Sequence, residues 1–110
     1  MSKRSSSVAY KADVFAALGD STRLSLVLKL NDGKTHSIAA LTEGSKITRQ
    51  AVTKHLTVLE NVGLVSKIKE GRECLYELNP KPIESMQEYL QIISAQWDHA
   101  LSNFKAFVED

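Results

Sequence analysis

Hydrophobic positions along the chain recur with two different periods, and the changes of period mark out its elements. Near Val8 to Leu18, and again after a break at Gly19, apolar residues return at three- and four-residue steps, the spacing of one helix face. Gly19 is placed to end the first helix and Asp20 or Ser21 to cap the second, whose Leu24, Val27, Leu28 and Leu30 are expected to be buried. A short helix follows from a Ser37 cap through Ile38 and Leu41, and Gly44-Ser45 breaks it. The next helix runs from about Arg49 to Val62, spanning 48–63 with a Thr48 cap and a Gly63 terminator. From Leu64 to Lys69 the period falls to two. Glu70-Gly71-Arg72 then turns the chain and Cys74 to Leu78 returns, so 64–79 reads as a β-hairpin. After Pro80 the last helix, 82–108, opens on Pro82, and Ile83 to Val108 contains neither Pro nor Gly. There Met86, Leu90, Ile93, Trp97, Leu101, Phe104 and Val108 form a seam of about six helical turns.

The helix after Thr48 is the most informative of these. At about 100° per residue, Val52, Leu56 and Leu59 share one apolar stripe. Gln50, Lys54, Thr57 and Asn61 fall opposite, flanked by Arg49 and Thr53. One face is anchored, and the other presents groups able to hydrogen-bond base edges and phosphates. Helix, turn and longer helix in that order are the signature of a helix-turn-helix whose second helix enters the major groove. A two-stranded hairpin is marginal alone and must pack on the helices, which leaves Lys67, Lys69 and Arg72 near a protruding, basic tip. The expected DNA contacts are Thr48, Arg49, Gln50, Thr53, Lys54, His55, Thr57, Lys67, Lys69 and Arg72. His55, at the border of the stripe, can either bond a phosphate or brace the helix against a neighbour.

Phe15-Ala16-Ala17-Leu18-Gly19-Asp20-Ser21-Thr22-Arg23-Leu24, the Gln50 to Leu59 helix with His55-Leu56, Glu60-Asn61-Val62-Gly63-Leu64-Val65 and the turn Glu70-Gly71-Arg72 occur here in one order and spacing. With them the chain resembles the ArsR/SmtB family of winged helix-turn-helix repressors, over roughly Val14 to Asn79. The resemblance implies a mainly α fold with a small β-hairpin, dimerising through its first and last helices. It also raises metal sensing, which many members perform through cysteines on the first helix of the motif or Asp and His pairs on the last. Ile38 to Gly44 contains neither Cys nor His, and Asp98 and His99 are adjacent, so they project about 100° apart. No metal and no cofactor are expected. Constitutive action, displacement by a protein partner and an apolar effector all stay open.

Formal net charge is only +1, but its distribution changes the picture. From Lys46 to Arg72 there are six basic residues against two acidic, whereas Pro80 to Asp110 carries two basic against five acidic. The basic block coincides with the reading helix and hairpin, and the acidic segment belongs away from phosphates. Arg23 is read as structural, pairing with an acidic neighbour, with a phosphate contact as the alternative.

At 110 residues and 43% hydrophobic content the chain fits one domain, 8–110, after a flexible tail at 1–7. No apolar run spans a bilayer and no signal-peptide core follows Met1 to Ser7, so a soluble, cytoplasmic protein is expected. Cys74 is the only cysteine. One Cys, three scattered His and no Gly-rich phosphate loop argue against an enzyme. The long seam exceeds what a small core absorbs, so Tyr10, Phe15, Ile93, Trp97, Leu101 and Phe104 are assigned to a homodimer interface. The expected function is a homodimeric, sequence-specific regulator, a repressor on an inverted repeat of double-stranded DNA. The alternative is a winged-helix protein-interaction module without DNA specificity.

Overall fold

The computed structural model describes residues 7–109, so the expected tail lies outside them apart from Ser7. In chain order these residues form α1 (Val8–Leu18), α2 (Ser21–Leu30), β1 (His36–Ser37) and α3 (Ile38–Thr42). Then follow α4 (Arg49–Asn61), β2 (Val65–Glu70), β3 (Glu73–Leu78) and α5 (Lys81–Glu109). The fold is a winged helix-turn-helix: α3 and α4 make the motif, and β2 and β3 make the wing.

Side-chain oxygens start four of the helices by accepting from otherwise orphaned N–H groups. Ser7 Oγ accepts from Tyr10 N at 3.0 Å, Asp20 Oδ2 from Arg23 N at 3.0 Å, Ser37 Oγ from Ala40 N at 3.1 Å and Thr48 Oγ1 from Ala51 N at 3.1 Å. The end of α4 depends on glycine. Gly63 adopts φ 80°, its N–H reaches Glu60 O and the Leu64 N–H reaches Leu59 O, both at 2.9 Å. These are the paired bonds of a Schellman ending, and the accompanying apolar contact comes from Leu59 and Leu64, both fully buried.

The sheet has three antiparallel strands in the order β1-β3-β2, with His36 opposite Tyr76, and Val65 opposite Leu78. The hairpin expected from the sequence is therefore joined by β1, which at two residues is too short to show any period. After Val65 the wing leaves the body, and Lys67, Lys69 and the turn from Glu70 to Glu73 are exposed.

The core gathers Val14 and Ala17 of α1, Leu26, Val27 and Leu30 of α2, Leu41 of α3 and the Val52-Leu56-Leu59 stripe of α4. Leu64, Val65, Tyr76 and Met86 close it. Two expectations for α2 are corrected: Leu24 is 45% exposed and Leu28 67%, while Leu26 is buried in their place. With leucine or valine at five of its ten positions, α2 is apolar almost all round. Contact with α1, α4 and the sheet decides which side turns inward.

α5 starts at Lys81, with Pro82 in its first turn, where a missing N–H costs nothing. Only its beginning joins the core, through Met86 and half-buried Ile83. From Ser94 to Val108 every side chain is exposed, and the molecule reaches 68 Å along its longest axis. Three contacts fix α5 and α4 to the body. The Tyr10 hydroxyl donates to Val62 O at 2.7 Å, the Lys11 ammonium lies 5.3 Å from the centre of the Tyr89 ring, and Asn79 Nδ2 donates to Gly63 O at 3.1 Å. Tyr10, assigned from the sequence to the dimer surface, thus commits its hydroxyl within the protomer.

Tyr10→Phe is expected to lower stability by about 0.5–1.5 kcal/mol through the lost hydrogen bond. Gly63→Ala is expected to lower it by about 1–2 kcal/mol, because a Cβ is strained in the left-handed region. Each kcal/mol should appear as a fall of about 4–8 °C in the thermal midpoint at equal protein concentration.

Candidate nucleic-acid interface

Burial of Val52, Leu56 and Leu59 turns the opposite face of α4 to solvent, where Arg49, Gln50, Lys54 and Thr57 are exposed and Thr53 is half-exposed. Thr48, also exposed, is engaged as the cap. The two threonine hydroxyls turn back on the helix: Thr53 Oγ1 donates to Arg49 O at 2.8 Å and Thr57 Oγ1 to Thr53 O at 3.0 Å. Each keeps lone pairs and a methyl for a partner. The donors available to a base or phosphate on this face are therefore Arg49, Gln50 and Lys54. Among the described residues, none of Arg49, Lys54, Lys67, Lys69 and Arg72 pairs with a carboxylate. These cations are thus not tied up in ion pairs within the protomer, although the wing also carries Glu70, Glu73 and Glu77.

What holds α4 in place was less visible in the sequence. Arg23, one turn into α2, donates from Nε to Ala17 O at 2.7 Å and from Nη2 to Ala16 O at 3.4 Å, covering the carbonyl end of α1. Its Nη1 lies 3.3 Å from Nδ1 of His55 on α4. A guanidinium has no lone pair to offer, so in a hydrogen bond between the two the imidazole accepts at Nδ1; the Asp20 carboxylate lies 3.8 Å from the same nitrogen. His55, whose side chain is 25% exposed, thereby braces α4 against the α1–α2 corner. The Arg23 guanidinium hydrogen-bonds carbonyls and an imidazole, while its acidic neighbour Asp20 is met by the Arg23 amide and by the Arg23 charge. The polar run Asp20-Ser21-Thr22-Arg23 and the border position of His55 were the sequence signals for this corner. Ile38 is a further addition: it lines a concavity together with Arg49, Gln50, Thr53 and Lys54.

The fold and this basic, hydrogen-bonding face define a winged helix-turn-helix DNA-binding protein. Residues 20–67 match the family model of the bacterial regulatory proteins of the arsR family. The chain is 35% identical over 82 residues to the uncharacterized HTH-type transcriptional regulator YuzN of Bacillus subtilis (strain 168), an alignment covering 69% of this chain and 89% of that protein. It is 32% identical over 73 residues to the arsenical resistance operon repressor of the same organism, covering 66% and 69%. The solved structure of an ArsR-like transcriptional regulator from Rhodococcus sp. RHA1 matches with a TM-score of 0.78 and 35% identity, over 90% of this chain and 92% of that one. The chain belongs to the ArsR family and is a DNA-binding transcriptional regulator. Its relatives are regulators rather than enzymes.

The metal chemistry raised by that family finds no matching donors here. α3 carries neither Cys nor His, and His99 Nε2 lies 3.2 Å from Asn103 Nδ2 on the exposed part of α5. Among the described residues no three His, Cys, Asp or Glu side chains converge. Nor is any helix among them long and apolar enough to cross a membrane.

Acid should loosen the corner that carries His55. The Asp20 carboxyl is held below its ordinary 3.8, chiefly because the Arg23 amide donates to it and further by the Arg23 charge. Asp32 is likewise lowered, first by its hydrogen bond to His36. Because both folded values are depressed, their stabilisation is present above about pH 4 and is lost as pH falls through the lowered values. Denaturant titrations should show stability falling as the pH drops below about 4. Asp20→Asn, which keeps the cap but not the charge, should give a shallower fall.

Proposed function

We propose that the protein is a homodimeric repressor that binds an inverted-repeat operator, with α4 of each protomer in the major groove. The observation that carries this reading is the exposed apolar seam of α5. Trp97 is 64% exposed and Phe104 66%, and Leu90, Leu101 and Val108 extend the same stripe. At its inner end the stripe runs into a groove of roughly 540 Å³ walled by Phe15, Leu18, Ile83, Met86 and Leu90. Monomeric proteins rarely expose contiguous apolar patches larger than a few hundred Å². A helix about 43 Å long that projects such a stripe past its own core is suited to pairing with a second copy. Ile93 lies on this stripe and Phe15 on the groove wall.

Two-fold symmetry would set two reading helices about one DNA turn (34 Å) apart. In each half-site Arg49 grips guanine O6 and N7, Gln50 reads adenine, and Thr53 meets a base edge or methyl. Lys54, Lys67, Lys69 and Arg72 hold phosphates, Thr48 and Thr57 flank them, and His55 keeps the helix at its angle. The acidic α5 lies away from the phosphates. Repression follows where such an operator overlaps a promoter and polymerase is sterically excluded.

Binding of the purified protein to its own upstream DNA and to random duplex, followed by fluorescence anisotropy at several salt concentrations, tests the reading. Tight, salt-sensitive preference for one duplex by a species of twice the chain mass is the expected result. Arg49→Ala should cost about 1–3 kcal/mol on the preferred duplex. Equal losses on preferred and random DNA would refute its role in base reading. Lys67→Ala or Lys69→Ala should weaken binding to every sequence and reduce the salt slope by about 1 each. Trp97→Asp should give a folded monomer by sedimentation, with binding to single half-sites only.

A further inference from the structure

We propose that the concavity between α3 and α4 receives the 5-methyl group of a thymine, and that Ile38 is a specificity-determining residue of the DNA contact. The inference rests on α4 being the reading helix and names what one part of it reads. Ile38 opens α3 directly after the Ser37 cap. One turn later Leu41 is fully committed to the core, while Ile38 stays half-buried at its edge. There it shares a depression of roughly 460 Å³ with Arg49, Gln50, Thr53 and Lys54, whose walls are mostly hydrocarbon. Thr53 contributes to that character because its hydroxyl is turned onto Arg49 O at 2.8 Å, leaving its methyl as the apolar group for a ligand. The remaining carbon comes from the stems of the long side chains, a common use of Arg and Lys.

The surface is thus an apolar floor rimmed by cationic donors, on the face that meets the major groove. Among the four bases only thymine shows a methyl on that edge, next to the O4 acceptor. A 5-methylcytosine shows the same methyl next to an amino donor instead. Arg49 and Lys54 can donate but cannot accept, so these two complement thymine and oppose the methylated cytosine, while Gln50 and Thr53, which can also accept, favour neither.

The test begins with duplexes that the full-length protein selects from a random-sequence library. Each thymine is then replaced singly by deoxyuridine, which removes the methyl and keeps every hydrogen-bonding group. At one position per half-site the affinity should fall about fourfold, the value of one buried carbon. A 5-methylcytosine–guanine pair at that position should not restore it. Thr53→Ser, which keeps the hydroxyl, and Ile38→Ala, checked for an unchanged fold by its melting curve, should bind thymine and uracil duplexes with a ratio closer to one. A selected duplex in which every thymine tolerates uracil would overturn the methyl contact while leaving base reading by α4 intact. Full rescue by 5-methylcytosine would overturn the assignment to thymine. Failure to select any preferred duplex would remove the reading on which the proposal stands.

Discussion

The seating of α4 in the core is the constraint on which the rest of the protein depends. Val52, Leu56 and Leu59 are each at most 1% exposed, so the rotation of the helix about its own axis is settled by burial. A turn of about 100° would bring Thr53, Thr57 and Glu60 inward and place a carboxylate in an apolar interior, at several kcal/mol. Burying a leucine contributes about 1.5–3 kcal/mol, so the stripe and the polar face act in the same direction. The polar side chains of α4 need no contacts of their own to point outward; the opposite face holds them there.

The middle and the C-terminal end of that helix are also tied to distant parts of the chain. At one side Arg23 links the last carbonyls of α1 to His55, and at the other Tyr10 reaches the carbonyl of Val62. Asn79 joins the end of α4 to the start of α5: its backbone N–H bonds Leu64 O, its amide bonds Gly63 O, and its Oδ1 accepts from Lys81 N. The long helix and the reading helix therefore meet at one hydrogen-bonded joint.

The molecule is divided by the kind of surface it shows. Cations outside any ion pair, interspersed with glutamates, lie on α4 and the wing, while apolar surface and excess acidic residues lie on α5. Such a division suits two different partners approached from two sides, a polyanion and an apolar helix pair. Within the basic side, the threonine hydroxyls that fold back on their own helix leave a more apolar surface than the residue names suggest.

Helix limits and caps were legible in the residue pattern because they rest on neighbours three to five positions away, and the wing because a tight turn joins its two strands. Thr48 and Ser37 bond the amide three residues on, and Gly63 supplies the one left-handed turn that ends α4. The stripe on α4 was legible too, since its polar face leaves a single way to turn. On α2 the same reasoning failed at Leu24 and Leu28, because a helix apolar on nearly all sides has no preferred face until its neighbours are in place. β1, the bracing of His55 by Arg23 across 32 positions, the Tyr10 bond across 52 and the meeting of Ile38 with α4 were decided only by tertiary structure. The sequence by itself determined the elements and the chemistry on offer, through local hydrogen bonds and periodicity. Tertiary structure decided which of those groups meet, because contacts between residues far apart along the chain exist only once the core has brought them together.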